Sequence, residues 1–167
     1  MSSKNYILTK EEAKEKLHRM ALEIAEHLSE DNTPLFLIGI NKNGVAIAER
    51  LKAHLSGYTD FSTSIIMATA NKEALSDVIL EDTTIDFNDK NIIIVDDVSN
   101  SGKTLLYAIK PLLSYQPKRI QTLVVVERMH RLFPIKPDYV GSSLATTDQD
   151  FIKVEVDKGV ITGAYIV

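Results

Sequence analysis

The sequence has no cysteine among its 167 residues. It therefore cannot form disulfides, use a thiolate nucleophile or bind zinc or an iron–sulfur cluster through sulfur. It also has no apolar run approaching the roughly 20 residues of a membrane-spanning helix, and residues 1–6 lack the apolar core of a secretory signal. The lack of cysteine fits a reducing compartment. We therefore expect a cytoplasmic protein with no membrane association.

Basic residues are also outnumbered by acidic ones, with 19 Lys and Arg against 23 Asp and Glu, which gives a net charge of −4. A broadly basic nucleic-acid-binding surface is not expected from this balance, although a local basic patch remains open. The four histidines are scattered without the spacing of metal ligands. The composition is that of a globular protein, and the length favours a single domain over residues 1–167.

Helical patterns alternate with short apolar runs along the chain. Thr9 and Glu12 form a capping-box pattern ahead of a helix predicted to end near Ser29. Three short apolar runs predict strands that are buried on both faces, at residues 35–40, 91–95 and 120–126. This alternation predicts an α/β fold with a central, mostly parallel sheet flanked by helices.

The remaining elements have weaker patterns. Residues 41–44 read as a polar turn before a helix at 45–51, and residues 69–84 as a long loop. Residues 104–115 are predicted as one helix that Pro111 kinks. Short strands are predicted at residues 139–140 and 151–156, and a turn at residues 157–159 pairs the latter with residues 160–167 in a terminal hairpin.

The most informative segment follows the strand at residues 91–95. Asp96 and Asp97 come directly after that strand, and a loop rich in small residues and hydroxyls leads into the next helix. Backbone amides at such a turn, with Gly102 allowing a tight bend, suit a phosphate. The two carboxylates would repel that phosphate unless they face hydroxyls or a divalent cation. A ribose 5-phosphate meets both requirements.

This segment has two other interpretations. Gly102-Lys103-Thr104 matches the end of the P-loop of nucleoside triphosphatases, but that motif needs glycine at the position of Asp97. The segment could also be a plain strand-to-helix turn with solvated aspartates.

The segment resembles the motif with which type I phosphoribosyltransferases bind 5-phosphoribosyl-1-pyrophosphate (PRPP). Over most of its length, and in the same order, the chain is similar to the bifunctional pyrimidine-operon attenuator / uracil phosphoribosyltransferase (PyrR) family. The matching segments are residues 17–24, 38–44, 96–104, 126–135 and 138–141. The resemblance implies a type I phosphoribosyltransferase fold with a small hood of terminal segments, and a homo-oligomer. It also implies transfer of the phosphoribosyl group to a nucleobase, with uracil as the expected base.

The resemblance assigns a role to each segment. Asp96 and Asp97 would hold the ribose hydroxyls beside the reacting carbon. The 5-phosphate would be bound by Ser99, Asn100, Ser101, Gly102, Lys103 and Thr104. The pyrophosphate would be met by Asn41, Lys42, Asn43 and Gly44. The residues near the base, or near bound RNA, would be Arg128, His130, Arg131, Tyr139 and Val140. Mg²⁺ would be bound mainly through PRPP, without a direct protein ligand.

Three departures from the family pattern stand out. Asn43 occupies a position where these proteins usually carry arginine, and residues 67–72 lack a usual tyrosine–arginine pair, leaving Lys72 as the nearby cation. Ser101 replaces a usual threonine. Weaker stabilisation of the leaving pyrophosphate favours an alternative function, that of a nucleotide-sensing, RNA-binding regulator with little or no catalysis. A purine-type or repurposed family member is the third possibility.

Overall fold

The computed structural model describes residues 3–71, 73–74 and 77–167. The strands are β1 Asn5–Thr9, β2 Leu35–Ile40, β3 Thr63–Thr69, β4 Ile79–Leu80, β5 Asn91–Ser99, β6 Arg119–Arg128, β7 Tyr139–Leu144, β8 Ile152–Asp157 and β9 Val160–Ile166. The helices are α1 Lys10–His27, α2 Asn41–Leu55, α3 Lys103–Ile109 and a 3-10 helix, Lys110–Leu112.

The main sheet has six strands in the order β4-β3-β2-β5-β6-β7. Strands β3, β2, β5, β6 and β7 run parallel, and among the described strands of this sheet only β4, at its edge, pairs antiparallel. This confirms the predicted α/β fold with a mostly parallel sheet. Since parallel strands end at one edge, the segments that follow β2, β5 and β6 meet there.

Each face of this sheet packs against its own core. Consecutive strand residues point to opposite faces, so Ile93 joins the cluster that includes α1 and α2, whereas Ile94 joins the cluster that includes α3. Burial of both faces explains why the strands read as unbroken apolar runs rather than alternating ones. The continuous run in β5 therefore signals its central place in the sheet.

A second, antiparallel sheet of three strands, in the order β1-β9-β8, is built from the two ends of the chain. It forms the predicted terminal hairpin and hood. Strand β1 was not predicted, because it is only five residues long and three of them are exposed. The next helix, α1, has the predicted capping box, in which Glu12 N–H donates to Thr9 Oγ1 and Thr9 N–H donates to Glu12 Oε2.

Three sequence-based boundaries need correction. Strand β5 does not end at the aspartates but continues to Ser99, because it keeps pairing with β6 as far as Glu127. Residues 41–44 are the first turn of α2 rather than a separate turn, and Asn41 makes this possible by adopting a positive φ of 56°. The helix predicted at 104–115 stops at Ile109, and a 3-10 turn carries Pro111.

Among the described residues, no helix combines the length and the apolar character needed to cross a membrane.

Candidate functional site

The centre of the candidate site is the acidic pair in the last third of β5. Asp96 is 1% exposed and Asp97 is 7% exposed. Asp96 Oδ1 accepts the N–H of Asp97 at 2.9 Å, and Asp97 Oδ1 accepts the N–H of Val98 at 2.8 Å. Burying carboxylates is costly and seldom occurs without a purpose beyond stability. Their place at the carboxyl edge of a parallel sheet, where ligands of such folds bind, makes this edge the candidate site.

The start of α2 lies directly beside this pair. Asn43 Nδ2 donates a 2.9 Å hydrogen bond to Asp97 Oδ2. The side-chain amide of Asn41 makes two 2.9 Å hydrogen bonds with the backbone of Ala70, just after β3. Lys42 is exposed. Of the residues predicted to bind pyrophosphate, Lys42 is thus the one with a positive charge. The side chains of Asn41 and Asn43 are both hydrogen-bonded to other residues of the protein.

Gly44 explains how α2 can come so close to β5. A Cβ at this position would lie 2.5 Å from the carbonyl oxygen of Val95 and 2.9 Å from the carbonyl carbon of Gly39. No side chain fits this space, so only glycine allows the helix to rest on the strand immediately before Asp96. The contact fixes Asn43 against Asp97.

A cavity of about 240 Å³ opens on the α3 side of the acidic pair. Its lining contains Asp96, Val98 and the loop at residues 99–104, together with Leu105 and Phe151. The loop turns at Gly102, whose φ of 87° is a left-handed conformation that side chains disfavour. The cavity thus brings Asp96 together with the loop at residues 99–104.

The segment at residues 132–135 supports this loop from behind. The carbonyl of Ser101 accepts the N–H groups of Leu132 and Phe133, both at 3.0 Å. The hydroxyl of Ser101 accepts the N–H of Lys103 at 3.2 Å. These bonds preset the shape of the loop, so that a ligand need not order it.

Asn100 has a different role from the one predicted for it. Its side-chain amide donates to the carbonyl of Ile152 at 3.2 Å and accepts the N–H of Ile152 at 3.0 Å. The amide thus mimics a strand partner and ties the loop to β8 in the hood. Only the backbone of Asn100 remains to meet a phosphate in this arrangement.

Tyr139 requires a correction. It is fully buried, and its hydroxyl makes hydrogen bonds with His27 Nδ1 at 2.9 Å and with Gln121 Oε1 at 3.0 Å. Burial raises the pKa of Tyr139 to about 12. The ring belongs to the core beside α1 and does not reach the cavity. Val140 points to the opposite core, where it is half-buried.

The basic residues predicted near the base or RNA also have protein partners. Arg128 is 4% exposed and donates to the carbonyls of His130 at 2.9 Å and Asp150 at 2.6 Å. His130 Nε2 lies 2.8 Å from Asp148 Oδ1. Arg131 Nη1 lies 3.7 Å from Glu127 Oε1. Arg128 in particular organises the surrounding loops instead of facing solvent.

One lining residue, Phe151, was missed as a functional candidate and predicted only as the start of a strand. It is 54% exposed although it lies at the cavity. The sequence signal was weak, an aromatic residue just after the polar stretch at residues 146–150. Lys72, the cation noted in the loop after β3, lies outside the described residues.

The comparisons with known proteins agree with this geometry. The family model described as "Phosphoribosyl transferase domain" matches residues 4–158. The chain is 36% identical over 159 residues to the "Bifunctional protein PyrR" of Deinococcus deserti, covering 90% of this chain and 86% of that protein. It is 37% identical over 155 residues to the protein of the same name from Elusimicrobium minutum, covering 87% and 86%.

Solved structures with the same fold include two purine enzymes. The hypoxanthine phosphoribosyltransferase of Trypanosoma cruzi superposes with a TM-score of 0.80 at 18% identity, over 98% of this chain and 96% of that one. A hypoxanthine-guanine phosphoribosyltransferase from Bacillus anthracis superposes with a TM-score of 0.75 at 21% identity, over 98% of both chains. At such low identity these structures bear on the fold alone.

Proposed function

The chain belongs to the phosphoribosyl transferase family, and from that premise we propose that it transfers the phosphoribosyl group of PRPP to a nucleobase. The products are a nucleoside 5′-monophosphate and pyrophosphate. The observation that carries the proposal is the cavity of about 240 Å³ that is lined both by Asp96 and by the loop at residues 99–104. A ribose 5-phosphate fits these two kinds of group.

The chemistry is a substitution at the anomeric carbon of the sugar. The bond to pyrophosphate oxygen breaks, a bond to a ring nitrogen of the base forms, and the proton of that nitrogen is released. The sugar carries positive charge at the midpoint, so fixed carboxylates nearby stabilise it. Asp96 and Asp97 would supply this charge and hold the ribose hydroxyls, while the 99–104 loop holds the 5-phosphate and fixes the sugar in place.

Mg²⁺ fits the site as a partner of the substrate. Its preferred ligands are oxygens, and it commonly keeps several waters while binding substrate phosphates. Within the described ranges, no group of three or more carboxylate or histidine side chains is placed to hold a metal by itself. Asp96 and Asp97 could share its outer coordination, and the ion would neutralise charge on the departing pyrophosphate. Lys42 would add positive charge beside the departing pyrophosphate.

We propose uracil as the accepted base, because the relatives at 36–37% identity are both bifunctional proteins PyrR. The test is release of pyrophosphate from PRPP–Mg²⁺ with uracil, hypoxanthine, guanine or adenine supplied in turn. Release is expected to be fastest with uracil. Release with a purine alone would overturn the base assignment, and no release with any base would overturn the enzyme proposal.

A second candidate is an RNA-binding regulator that senses nucleotides and turns over slowly. Asn43 favours it, since a neutral amide stands against Asp97 where the family pattern has a cation. Arg128 and His130 do not add support, because each is already bonded to a protein group. This candidate predicts a salt-sensitive complex with pyrimidine-operon leader RNA that responds to UMP.

We further propose that the chain assembles as a homo-oligomer, like many members of its family.

A further inference from the structure

A second and larger cavity, of about 480 Å³, lies between α1, α2 and the turn that joins β8 to β9. It has about twice the volume of the cavity beside Asp96 and shares no lining residue with it. Volumes of this size are typical of sites that bind small molecules. The function proposed above assigns no role to this space.

The buried part of its lining is apolar. Leu17 of α1, Ile47 of α2 and Ile161 of β9 line the cavity and are at most 6% exposed. All three belong to the core cluster that packs both helices on the sheet, so this surface is held in place without a ligand. It favours a hydrocarbon body over a nucleobase, whose polar edges would lose hydrogen bonds to water there.

The exposed part of the lining carries an excess of positive charge. Lys10 and Lys14 come from α1 and Arg50 from α2, while Glu11 is the acidic member of the lining. Within the described ranges, no carboxylate forms an ion pair with any of these three cations. Arg50 Nε donates a long 3.4 Å hydrogen bond to the carbonyl of Gly159. On a chain of net charge −4, such a local excess attracts anions.

His54 adds a titratable group to the same wall. Its ring stacks on that of His18 with the centroids 4.9 Å apart, and His18 Nε2 lies 3.2 Å from the hydroxyl of Tyr58. Burial lowers the pKa of His54 below its usual value. The charges of His18, then Lys14 and Arg50, lower it further. A bound anion would offset these charges and favour the protonated imidazole, so its binding should tighten as pH falls.

We propose that this cavity is a second ligand site, which binds a small organic anion with an apolar body, such as an aryl or alkyl phosphate, sulfonate or carboxylate. The body would pack on the buried apolar lining, and Lys14, Arg50 and His54 would surround the anionic group. The site is independent of the proposed transfer reaction, because the cavity beside Asp96 supplies none of its residues.

Calorimetric titration with naphthalene-2-sulfonate tests the site, because this probe joins an apolar body to a permanent negative charge. Wild type should bind it with a Kd of about 1 mM or tighter. Inorganic sulfate and 2-naphthol, which each have one half of the chemistry, should bind more weakly. The probe should bind about two- to fivefold more tightly at pH 6 than at pH 8, and His54→Gln should remove this difference.

Two variants alter the cavity itself. The double substitution Lys14→Gln/Arg50→Gln removes two charges and should weaken probe binding about 3- to 20-fold. Ala53→Trp, at an exposed position of the lining, should abolish binding by filling the space. Lys52→Gln is the matched control, since Lys52 is exposed on α2 but lies outside the lining, and it should bind the probe like wild type.

Four results would overturn the assignment. The first is wild-type protein that does not bind the probe, and the second is an Ala53→Trp variant that binds it as tightly as wild type. The third is displacement of the probe by UMP, which would place it in the cavity beside Asp96. The fourth is a change of molecular mass in Ala53→Trp, measured by light scattering, which would make the cavity a contact between copies of the chain. Failure of the proposed function looks different, because wild type would bind the probe but not PRPP–Mg²⁺.

Discussion

At the scale of single residues, Asn43 sets the electrostatic character of the site. Its amide gives Asp97 a neutral hydrogen bond at 2.9 Å, leaving Lys42 as the cation among residues 41–44. A neutral donor stabilises departing pyrophosphate less than a charged one, because hydrogen bonds to charged groups gain from the extra Coulomb attraction. In the proposed reaction we therefore expect Asn43 to affect turnover more than it affects binding of the sugar phosphate.

The substitution Asn43→Arg tests this view. A hydrogen bond from a charged donor is worth roughly 1.5–3 kcal/mol, so pyrophosphate release with uracil should accelerate roughly 10- to 100-fold. Lys42→Ala should slow the same reaction, since it removes the cation already present. Steady-state rates of pyrophosphate release measure both effects. An unchanged or lower rate in Asn43→Arg would show that charge at this turn does not limit catalysis.

Residue roles could be predicted from sequence only where they depend on neighbours in the chain. Asp96, Asp97 and Gly102 lie in one continuous motif, and the structure places Asp96 and Gly102 on one cavity and Asp97 against Asn43. Asn100 sits in the same motif, yet its amide is taken by Ile152, 52 positions away, and no local pattern shows that contact. The resemblance assigned Tyr139 to the base, but side chains alternate between the two faces of β7, and this alternation places the Tyr139 ring in the core.

At the scale of elements, the contact between α2 and β5 determines where the site lies. Gly44→Ala would place a Cβ 2.5 Å from the backbone oxygen of Val95, and neither backbone can move far. Overpacking of this kind costs about 1–3 kcal/mol. We expect urea denaturation to show this loss of folding stability. We also expect weaker PRPP binding, because α2 would shift away from Asp97.

Gly57→Ala is the matched control for that substitution. A Cβ at Gly57 would meet its nearest neighbour, the carbonyl oxygen of His54, at an ordinary 3.6 Å. Its stability should stay within about 0.5 kcal/mol of wild type. Equal stability of the Gly44→Ala and Gly57→Ala proteins would show that the close approach does not constrain α2.

Asp31 joins three elements at the opposite edge of the sheet. Its carboxylate accepts hydrogen bonds from Thr33 N–H at 2.9 Å and Asn91 Nδ2 at 3.0 Å, and Lys118 Nζ lies 2.9 Å away. Hydrogen bonds from Thr33 and then Asn91 hold the pKa of Asp31 well below its usual range. It therefore stabilises the strand starts in its charged form.

The pH dependence follows from that direction. Because the folded pKa is below the unfolded value near 3.9, the stabilisation is present above about pH 4 and lost as pH falls further. Asp31→Asn should cost about 1–2 kcal/mol at pH 7, and the difference from wild type should shrink progressively below pH 4. Urea denaturation across pH 3–7 measures it. A gap independent of pH would contradict the role of the charged form.

Element types were predicted more reliably than their ends. The apolar runs that became β2, β5 and β6 carry their own signal, because burial on both faces demands apolar residues throughout. The ends depend on partners. Strand β5 continues past Asp96 because β6 is there to pair with it, and the helix after Gly102 stops at Ile109, just ahead of the 3-10 turn that holds Pro111.

At the scale of the whole molecule, four distant parts of the chain form one site. The parallel sheet brings the start of α2 and the end of β5 to the same edge, and the hood adds Phe151, whose backbone is hydrogen-bonded to Val167. The segment at residues 132–133 holds the loop at residues 99–104 through hydrogen bonds to the carbonyl of Ser101. This convergence explains why a motif of nine residues needs the entire fold to work.

Calorimetric titration with PRPP–Mg²⁺ tests the central claim most directly, using wild type, Asp97→Asn and the exposed control Asp60→Asn. Removing the charge beside the sugar should weaken binding by at least about tenfold, the ratio equivalent to roughly 1.4 kcal/mol, whereas Asp60→Asn should bind like wild type. Wild-type protein that fails to bind PRPP–Mg²⁺, or Asp97→Asn that binds as tightly as wild type, would contradict the account.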